Sequence, residues 1–313
     1  MSRHSICIPL LLSVLTLHTA CTPSAPPPPT QPVPDIQPSP TQPMPDIRPS
    51  LTQPVPDVRP SPARPTPDIR PSPPQSVPDI RPSPAQSPAD IRLHYLGHSS
   101  FILAFDNGVT ILTDYGKSRA YGLASPIYAL RYFQPTLVSY SHHHEDHDRG
   151  AAFANATKLD GQDLSLKQID IKAIPVSENR EGDNYGYLIT YKGYTLFHAG
   201  DSQGDIVNLS TSTQVQQRLK RQLPAKIDLL LVPIDWTKNI VAQAIEYVNF
   251  LQPRQVIPIH YWSPAIKSEF LTKLGGQPYK IVEVDGPQYG IVVSESTTFA
   301  NTVISLTPDA YEK

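Results

Sequence analysis

Cysteine is almost absent from these 313 residues: only Cys7 and Cys21 carry thiols, both within the first 21 positions. A chain cut before Cys21 keeps one cysteine, which excludes an internal disulfide and a thiolate metal site and leaves nitrogen and oxygen to hold any metal. Glycine is missing before Gly97, whereas 25 of the 37 prolines lie between Pro23 and Pro88. So uneven a distribution separates a proline-rich segment from a foldable one, and total length overstates the domain. An excess of positive charge is lacking as well. The formal net charge of −2 gives no footprint for nucleic acid, and no such partner is expected. No phosphate-binding glycine loop or catalytic cysteine is present, which removes nucleotide-binding and thiol-based chemistries.

Long hydrophobic runs are also wanting. The opening "MSRHSICIPLLLSVLTLHTAC" has Arg3, an apolar run from Ile6 to Leu17, and the small residues Thr19 and Ala20 before Cys21. The run is too short to span a bilayer and reads as a secretory signal over residues 1–21. A signal ending at cysteine resembles that of a bacterial lipoprotein, in which the cysteine becomes the lipidated first residue. His18 departs from the pattern, standing where leucine is usual, with Leu17 beside it. The expectation is an extracytoplasmic lipoprotein held to a membrane by lipid at Cys21. The alternative is ordinary signal cleavage and a soluble secreted or periplasmic protein.

What is abundant next is repetition. From Thr30 the sequence recurs every 11 residues, "TQPVPDIQPSP" through "PQSVPDIRPSP" to a partial "AQSPADIR", with Asp35, Asp46, Asp57, Asp68, Asp79 and Asp90 in register. Proline at every second or third position fixes φ and removes backbone donors, so neither helix nor sheet can form and polyproline II is the accessible conformation. Residues 22–90 therefore read as a disordered, proline-rich spacer, able to reach roughly 200 Å at ~3.1 Å per residue. Residues 91–313 are expected to fold as one domain. "IRLHYL", "SFILAF", "VTILT", "TLVSYS", "DIKAI", "YGYLITY", "YTLFHA", "DLLLVP" and "QVIPIH" read as strands, the second and third joined by the hairpin signal "DNG". "NIVAQAIEYVNFL" carries a helical stripe of Val241, Ala244, Ile245, Val248 and Leu251. Strands in two groups with helices interleaved imply an α/β protein of two helix-covered sheets.

Chemistry concentrates in "SYSHHHEDHDRG", where four histidines and three carboxylates occupy residues 142–148. His142, His144, Asp146 and His147 have the spacing H-x-H-x-D-H, directly after a buried strand. On such a loop two histidines can bind one metal while the aspartate and last histidine reach a second, and imidazole with carboxylate suits zinc, manganese or iron. "LFHAGDS" and "VIPIHYW" place Asp201 and His260 at the ends of two further apolar strands.

With "LGHSSFIL", "ILTDYG", "SHHHEDHD", "NYGYLI", "FHAGDS" and "PIHYW" in that order, residues 92 to about 295 resemble the metallo-β-lactamase superfamily. The likeness is to the branch containing ascorbate-6-phosphate lactonase and the phospholipase D that hydrolyses N-acyl phosphatidylethanolamine. The resemblance implies an αββα sandwich with two divalent metals along one edge. Zinc is the expected metal, with manganese or iron as alternatives. It assigns His142 and His144 to the first metal, Asp146, His147 and His260 to the second, and Asp201 to both. Asp114 would orient a ligating histidine. His98 falls near the pocket without ligating; it is either catalytic alongside Asp146 and Asp201 or a hydrogen-bonded turn residue. His143 is expected to face solvent and His198 to support. Trp236, Tyr261 and Trp262 either line a pocket or pack. Family members place a third histidine for the first metal in the loop that here reads "VSENREGD", with Glu178 or Asn179 nearest its place. Glu178 is expected to substitute as an oxygen ligand, which would favour a harder metal.

The implied function is hydrolysis of an ester, lactone or phosphodiester, of small-molecule or lipid origin, by a metal-bound hydroxide. The alternative is a metal-binding surface protein without turnover, displayed on the long spacer.

Overall fold

The computed structural model describes residues 89–309, apart from 124–126, 131–132, 150–152, 179–182, 237–239, 277 and 296–300. The expected signal, Cys21, nearly all of the expected spacer, and Asn179 lie outside the described residues.

Two mixed sheets face each other. The first begins with three antiparallel strands, β1 (Ile91–Gly97), β2 (Ser100–Phe105) and β3 (Thr110–Thr113). Gly108, at φ +83°, and Asn107, whose Oδ1 accepts from Val109 N at 3.0 Å, close the β2–β3 turn as the "DNG" signal predicts. Parallel strands β4 (Leu137–Ser139) and β5 (Thr157–Leu159) extend this sheet beyond β3. The second sheet starts with the antiparallel strands β6 (Leu164–Leu166), β7 (Ile169–Pro175), β8 (Tyr185–Tyr191) and β9 (Tyr194–His198). It continues in parallel through β10 (Leu229–Pro233) and β11 (Gln255–Ile259). Beyond β11 lie β14 (Thr302–Ser305) and β12 (Lys280–Glu283), while β13 (Gln288–Ile291) returns to pair with β1. Helices α1 (Gln203–Asn208), α2 (Thr213–Gln222), α3 (Ile240–Leu251) and α4 (Pro264–Leu274), with a short 3-10 helix at Ala120–Gly122, complete the described elements.

Side-chain alternation builds the layers. Leu93, Tyr95, Phe101, Leu103 and Ile111 of the first sheet share one core with Ile171, Tyr187, Ile189, Leu229, Leu231 and Ile257 of the second. The opposite face of the second sheet, with Leu188, Phe197, Leu230, Val232 and Val256, packs on Ile206, Leu219, Ala244, Tyr247, Val248 and Phe270 of the helices. β10 is buried on both faces, which is why "LLLVP" lacks alternation. The apolar stripe of α3 turns slightly from its expected line: Ile240 and Tyr247 are buried with Val241, Ala244 and Val248, while Ile245 and Leu251 pack at the margin. On the outer face of the first sheet, Leu96, Ile102, Leu112 and Val138 lie under Tyr115, Ile127, Tyr140 and Phe153. Among the described residues that cover contains no α-helix.

This topology places the chemistry. β1 and β3 run alike because both are antiparallel to β2, and β4 is parallel to β3. β7 and β9 likewise run alike because both are antiparallel to β8, and β10 and β11 are parallel to β9. The loops that follow these strands carry His98, Asp114, the histidine cluster, Glu178, Asp201, Asp235 and His260, so each sheet presents its functional residues at one edge, beyond the carboxyl ends of parallel strands. A hydrogen bond from His260 N to His98 O, 2.9 Å, joins the two edges.

Candidate metal centre

The loop after β4 is held by carboxylate before it holds anything else. Asp114 Oδ1 accepts from Ser141 N at 2.6 Å, and its Oδ2 stands 3.0 Å from His147 Nδ1. With His147 engaged through Nδ1, its Nε2 faces the cluster. The orienting role expected of Asp114 is therefore met geometrically. His260 is set the same way, its Nδ1 3.0 Å from the backbone oxygen of Asp235. Asp235 also accepts Trp262 N on Oδ2 at 3.0 Å, so it grips the His260 turn from two atoms. Nothing in the sequence beyond its place after β10 marked this residue.

His98, Asp146, His147 and His260 converge within 4.8 Å, as do two triads, His142–His144–Asp146 and His142–His147–Asp201. Asp146 Oδ2 lies 3.1 Å from His98 Nε2, 3.6 Å from His147 Nε2 and 3.8 Å from His260 Nε2. Asp201 offers Oδ2 at 3.8 Å from His142 Nε2 and Oδ1 at 3.9 Å from His260 Nε2, facing both groups as a bridging carboxylate would. Glu178 places Oε2 3.9 Å from His142 Nε2 and Oε1 3.6 Å from His144 Nδ1. It lies outside the three tightest groups yet within reach of both imidazoles expected at the first metal. His142 Nε2 and His144 Nδ1 are 2.8 Å apart.

The remaining expected residues separate clearly. His198 has both ring nitrogens engaged, Nε2 with Ser99 O at 2.9 Å and Nδ1 accepting from Gly200 N at 3.1 Å, so it supports the scaffold rather than ligating. His143 is exposed and lies between Asp148 and Asp160, at 2.8 and 2.9 Å, away from the cluster. The His98 ring lies 4.4 Å from Trp262 and 4.1 Å from His260. Trp236 stands edge-on to His260 at 6.2 Å, and Tyr261 packs against both of the larger apolar clusters. A depression of about 350 Å³ opens beside the cluster, lined by His142, His143, His144, Asp160, Glu178, Asp183 and Tyr185.

The donor set fits metal. Asp146 Oδ1, His147 Nε2, Asp201 Oδ1 and His260 Nε2 are all buried with no hydrogen-bond partner. Buried polar atoms left without partners, among them His260 Nε2 and Asp201 Oδ1 at 3.9 Å from each other, would be costly unless a cation shared them. Ligand atoms about 2.0–2.1 Å from a tetrahedral zinc stand about 3.3 Å from each other, close to the separations above.

Electrostatics follow from burial and the crowding of rings. Burial pushes the Asp146 carboxyl up, but the His147, His98 and His260 rings outweigh it and hold it well below the usual carboxylate range. Burial drives His98 down to about 3 and His142 down to about 2. For His147 burial also lowers the value, yet Asp114 and Asp146 prevail and raise it to about 9. Chelator-treated protein should therefore be most stable near pH 6.5, the unfolded-state value for histidine. His98 and His142, lowered, lose stability as pH falls below 6.5; His147, raised, contributes fully below 6.5 and loses its contribution as pH rises through 9. Melting temperatures measured from pH 4 to 9.5 test this, and a monotonic profile would contradict it.

Space at the site is equally specified. A Cβ added at Gly116 would lie 1.9 Å from the backbone oxygen of Asp146 and 2.6 Å from His147 N. Gly116→Ala should cost about 1–3 kcal/mol through overpacking and weaken metal binding without removing a ligand. Unchanged thermal stability and metal content would show that the contact is slack.

A two-sheet α/β domain with a buried histidine–aspartate cluster at one sheet edge defines a class of metal-site protein. Residues 92–260, more than half of the chain, match the family described as Beta-lactamase superfamily domain, and the chain belongs to that superfamily. It is 31% identical over 127 residues to a metal-dependent hydrolase of Pyrococcus furiosus, covering 37% of this chain and 52% of that protein. A metal-dependent hydrolase of Pyrococcus abyssi is 32% identical over 105 residues, covering 32% and 43%. The chain thus spans about half the length of the curated relatives it matches. A metallo-β-lactamase superfamily structure from Thermotoga maritima, 20% identical, aligns over 69% of this chain and 100% of its own with a TM-score of 0.50, a likeness of fold.

Proposed function

We propose that this protein is an extracytoplasmic metal-dependent hydrolase of an ester, lactone or phosphodiester, with two divalent cations held by the convergent residues. The observation that carries the reading is the set of buried, partnerless ligand atoms on Asp146, His147, Asp201 and His260. His142, His144 and Glu178 would hold the first cation, Asp146, His147 and His260 the second, and Asp201 both. Two such cations supply Lewis acidity and an acidified water. The chain's own residues prepare the site for them. Asp114 and the Asp235 carbonyl fix which nitrogen His147 and His260 present. Asp146, kept ionised by its ring neighbours, would serve as ligand and orient water, and His98 would fix the Asp146 Oδ2 position. Zinc suits the imidazole-rich donor set; an added Glu178 carboxylate shifts preference toward manganese or iron.

Cys21 is the proposed point of lipid attachment, with the spacer carrying the domain away from the membrane. Metal analysis of the purified protein should be followed by a panel of chromogenic esters, lactones and bis-p-nitrophenyl phosphate. Turnover that disappears on chelation and returns with metal supports the hydrolase. Two bound metals with no turnover on any ester, lactone or phosphodiester would favour a display protein instead. Fractionation tests the anchor: Cys21→Ser should release protein into the soluble extracytoplasmic fraction, and wild-type protein found wholly soluble would overturn it.

A further inference from the structure

Glu178 lies two residues beyond Val176, whose N donates to Asn184 O at 2.9 Å, and its neighbour Ser177 is held by a buried carboxylate. Asp205, in the first turn of α1 and fully buried, accepts on Oδ1 from Ser177 Oγ at 2.8 Å and from Ser177 N at 3.2 Å. Gly204 N donates to Ser177 O at 2.8 Å. A Cβ at Gly204 would stand 2.6 Å from Ser177 Oγ and 2.9 Å from Ser177 O, so only glycine permits this approach. Arg218 of α2 pairs with Asp205 Oδ1 and also donates to the backbone oxygen of Pro175. The loop is thus gripped at Pro175 and at Ser177, on the two sides of Val176.

Two features separate this arrangement from ordinary packing. Burial pushes the Asp205 carboxyl up, against the pull of Arg218 and Ser177, and its Oδ2 is buried without a partner. A buried ion pair with an unsatisfied oxygen is a poor device for stability alone. Asp205 also lies four positions after Asp201 on the segment that leads into α1. A single short stretch of backbone therefore carries the carboxylate that faces both metal groups and the clamp on the residue beside Glu178.

We infer that Asp205, braced by Arg218, is a positioning residue that sets the distance between the Glu178 and Asp201 carboxylates and so tunes the first metal site. The inference rests on the reading of Glu178 as a ligand. It acts through Ser177 and touches neither metal nor substrate.

The test is stepwise Mn²⁺ titration of the full-length protein followed by electron paramagnetic resonance, which distinguishes paired from isolated Mn²⁺, with melting temperatures recorded in parallel. Asp205→Ala and Ser177→Ala should weaken one of two Mn²⁺ sites by about 10–100-fold, the usual effect of removing a residue that orients a ligand, and leave the other unchanged. Glu178→Ala should weaken the same site, and adding Asp205→Ala to it should cause no further loss, since residues acting through one group are not additive. Should Asp205→Ala fail to fold, Asp205→Asn and Ser177→Ala carry the measurement. If Glu178→Ala loses a site while the clamp variants keep both, the positioning role is overturned and the ligand reading stands. If Glu178→Ala keeps both sites, the ligand reading fails and the clamp's role with it. Equal weakening of both sites with a fall in melting temperature would assign Asp205 to general stability and overturn the inference.

Discussion

Asp201→Ala should reduce hydrolysis by on the order of a thousand-fold, because several kcal/mol of transition-state stabilisation rest on the bound cations and each ~1.4 kcal/mol is a factor of ten. The carboxylate faces His142 through Oδ2 and His260 through Oδ1, and Oδ1 is buried without a partner. Its loss should therefore lower occupancy of both sites. His98→Ala should cost less, about 10–100-fold, since His98 acts by holding Asp146 Oδ2. Steady-state rates and metal content of the two variants decide the matter. Comparable losses with metal retained in both would show that Asp201 is not the bridge.

Glu178→Ala should remove one metal per chain, and Glu178→His should restore it. The carboxylate sits within 4 Å of both imidazoles expected at the first metal. Replacing it by imidazole removes a negative charge and an oxygen donor, so the histidine variant should prefer zinc more strongly than the native protein does. Competition between Zn²⁺ and Mn²⁺, read by metal analysis, measures that shift. Two metals and full activity in the alanine variant would reject ligation by Glu178.

Much of this was legible in the sequence because the site is written in short, ordered motifs. The nine strands read from apolar runs all form, and the "DNG" hairpin, the "DLLLVP" interior strand and the helix after Asn239 follow from period and turn chemistry. β5, β6, β12, β13 and β14 were not foreseen. They are three or four residues long, with exposed or half-buried positions in four of the five, and are fixed by partners distant in sequence, as β13 is by β1. The ligand candidates were legible for the opposite reason: four histidines fall within residues 142–147, and Asp201 and His260 stand just after apolar strands, which are local patterns. Asp235, Ser177 and Asp205 were not. Each acts through a backbone atom or a single neighbour, and no local pattern distinguishes such a residue from any other polar turn or helix position.

The central claim is a two-cation site completed by Glu178 and bridged by Asp201. It is tested most directly by anomalous difference density at the zinc edge from crystals of the zinc-reconstituted protein. The account expects two peaks, one among His142, His144 and Glu178, the other among Asp146, His147 and His260, with Asp201 between them. A single peak, or a pair of which neither touches Asp201, would contradict it.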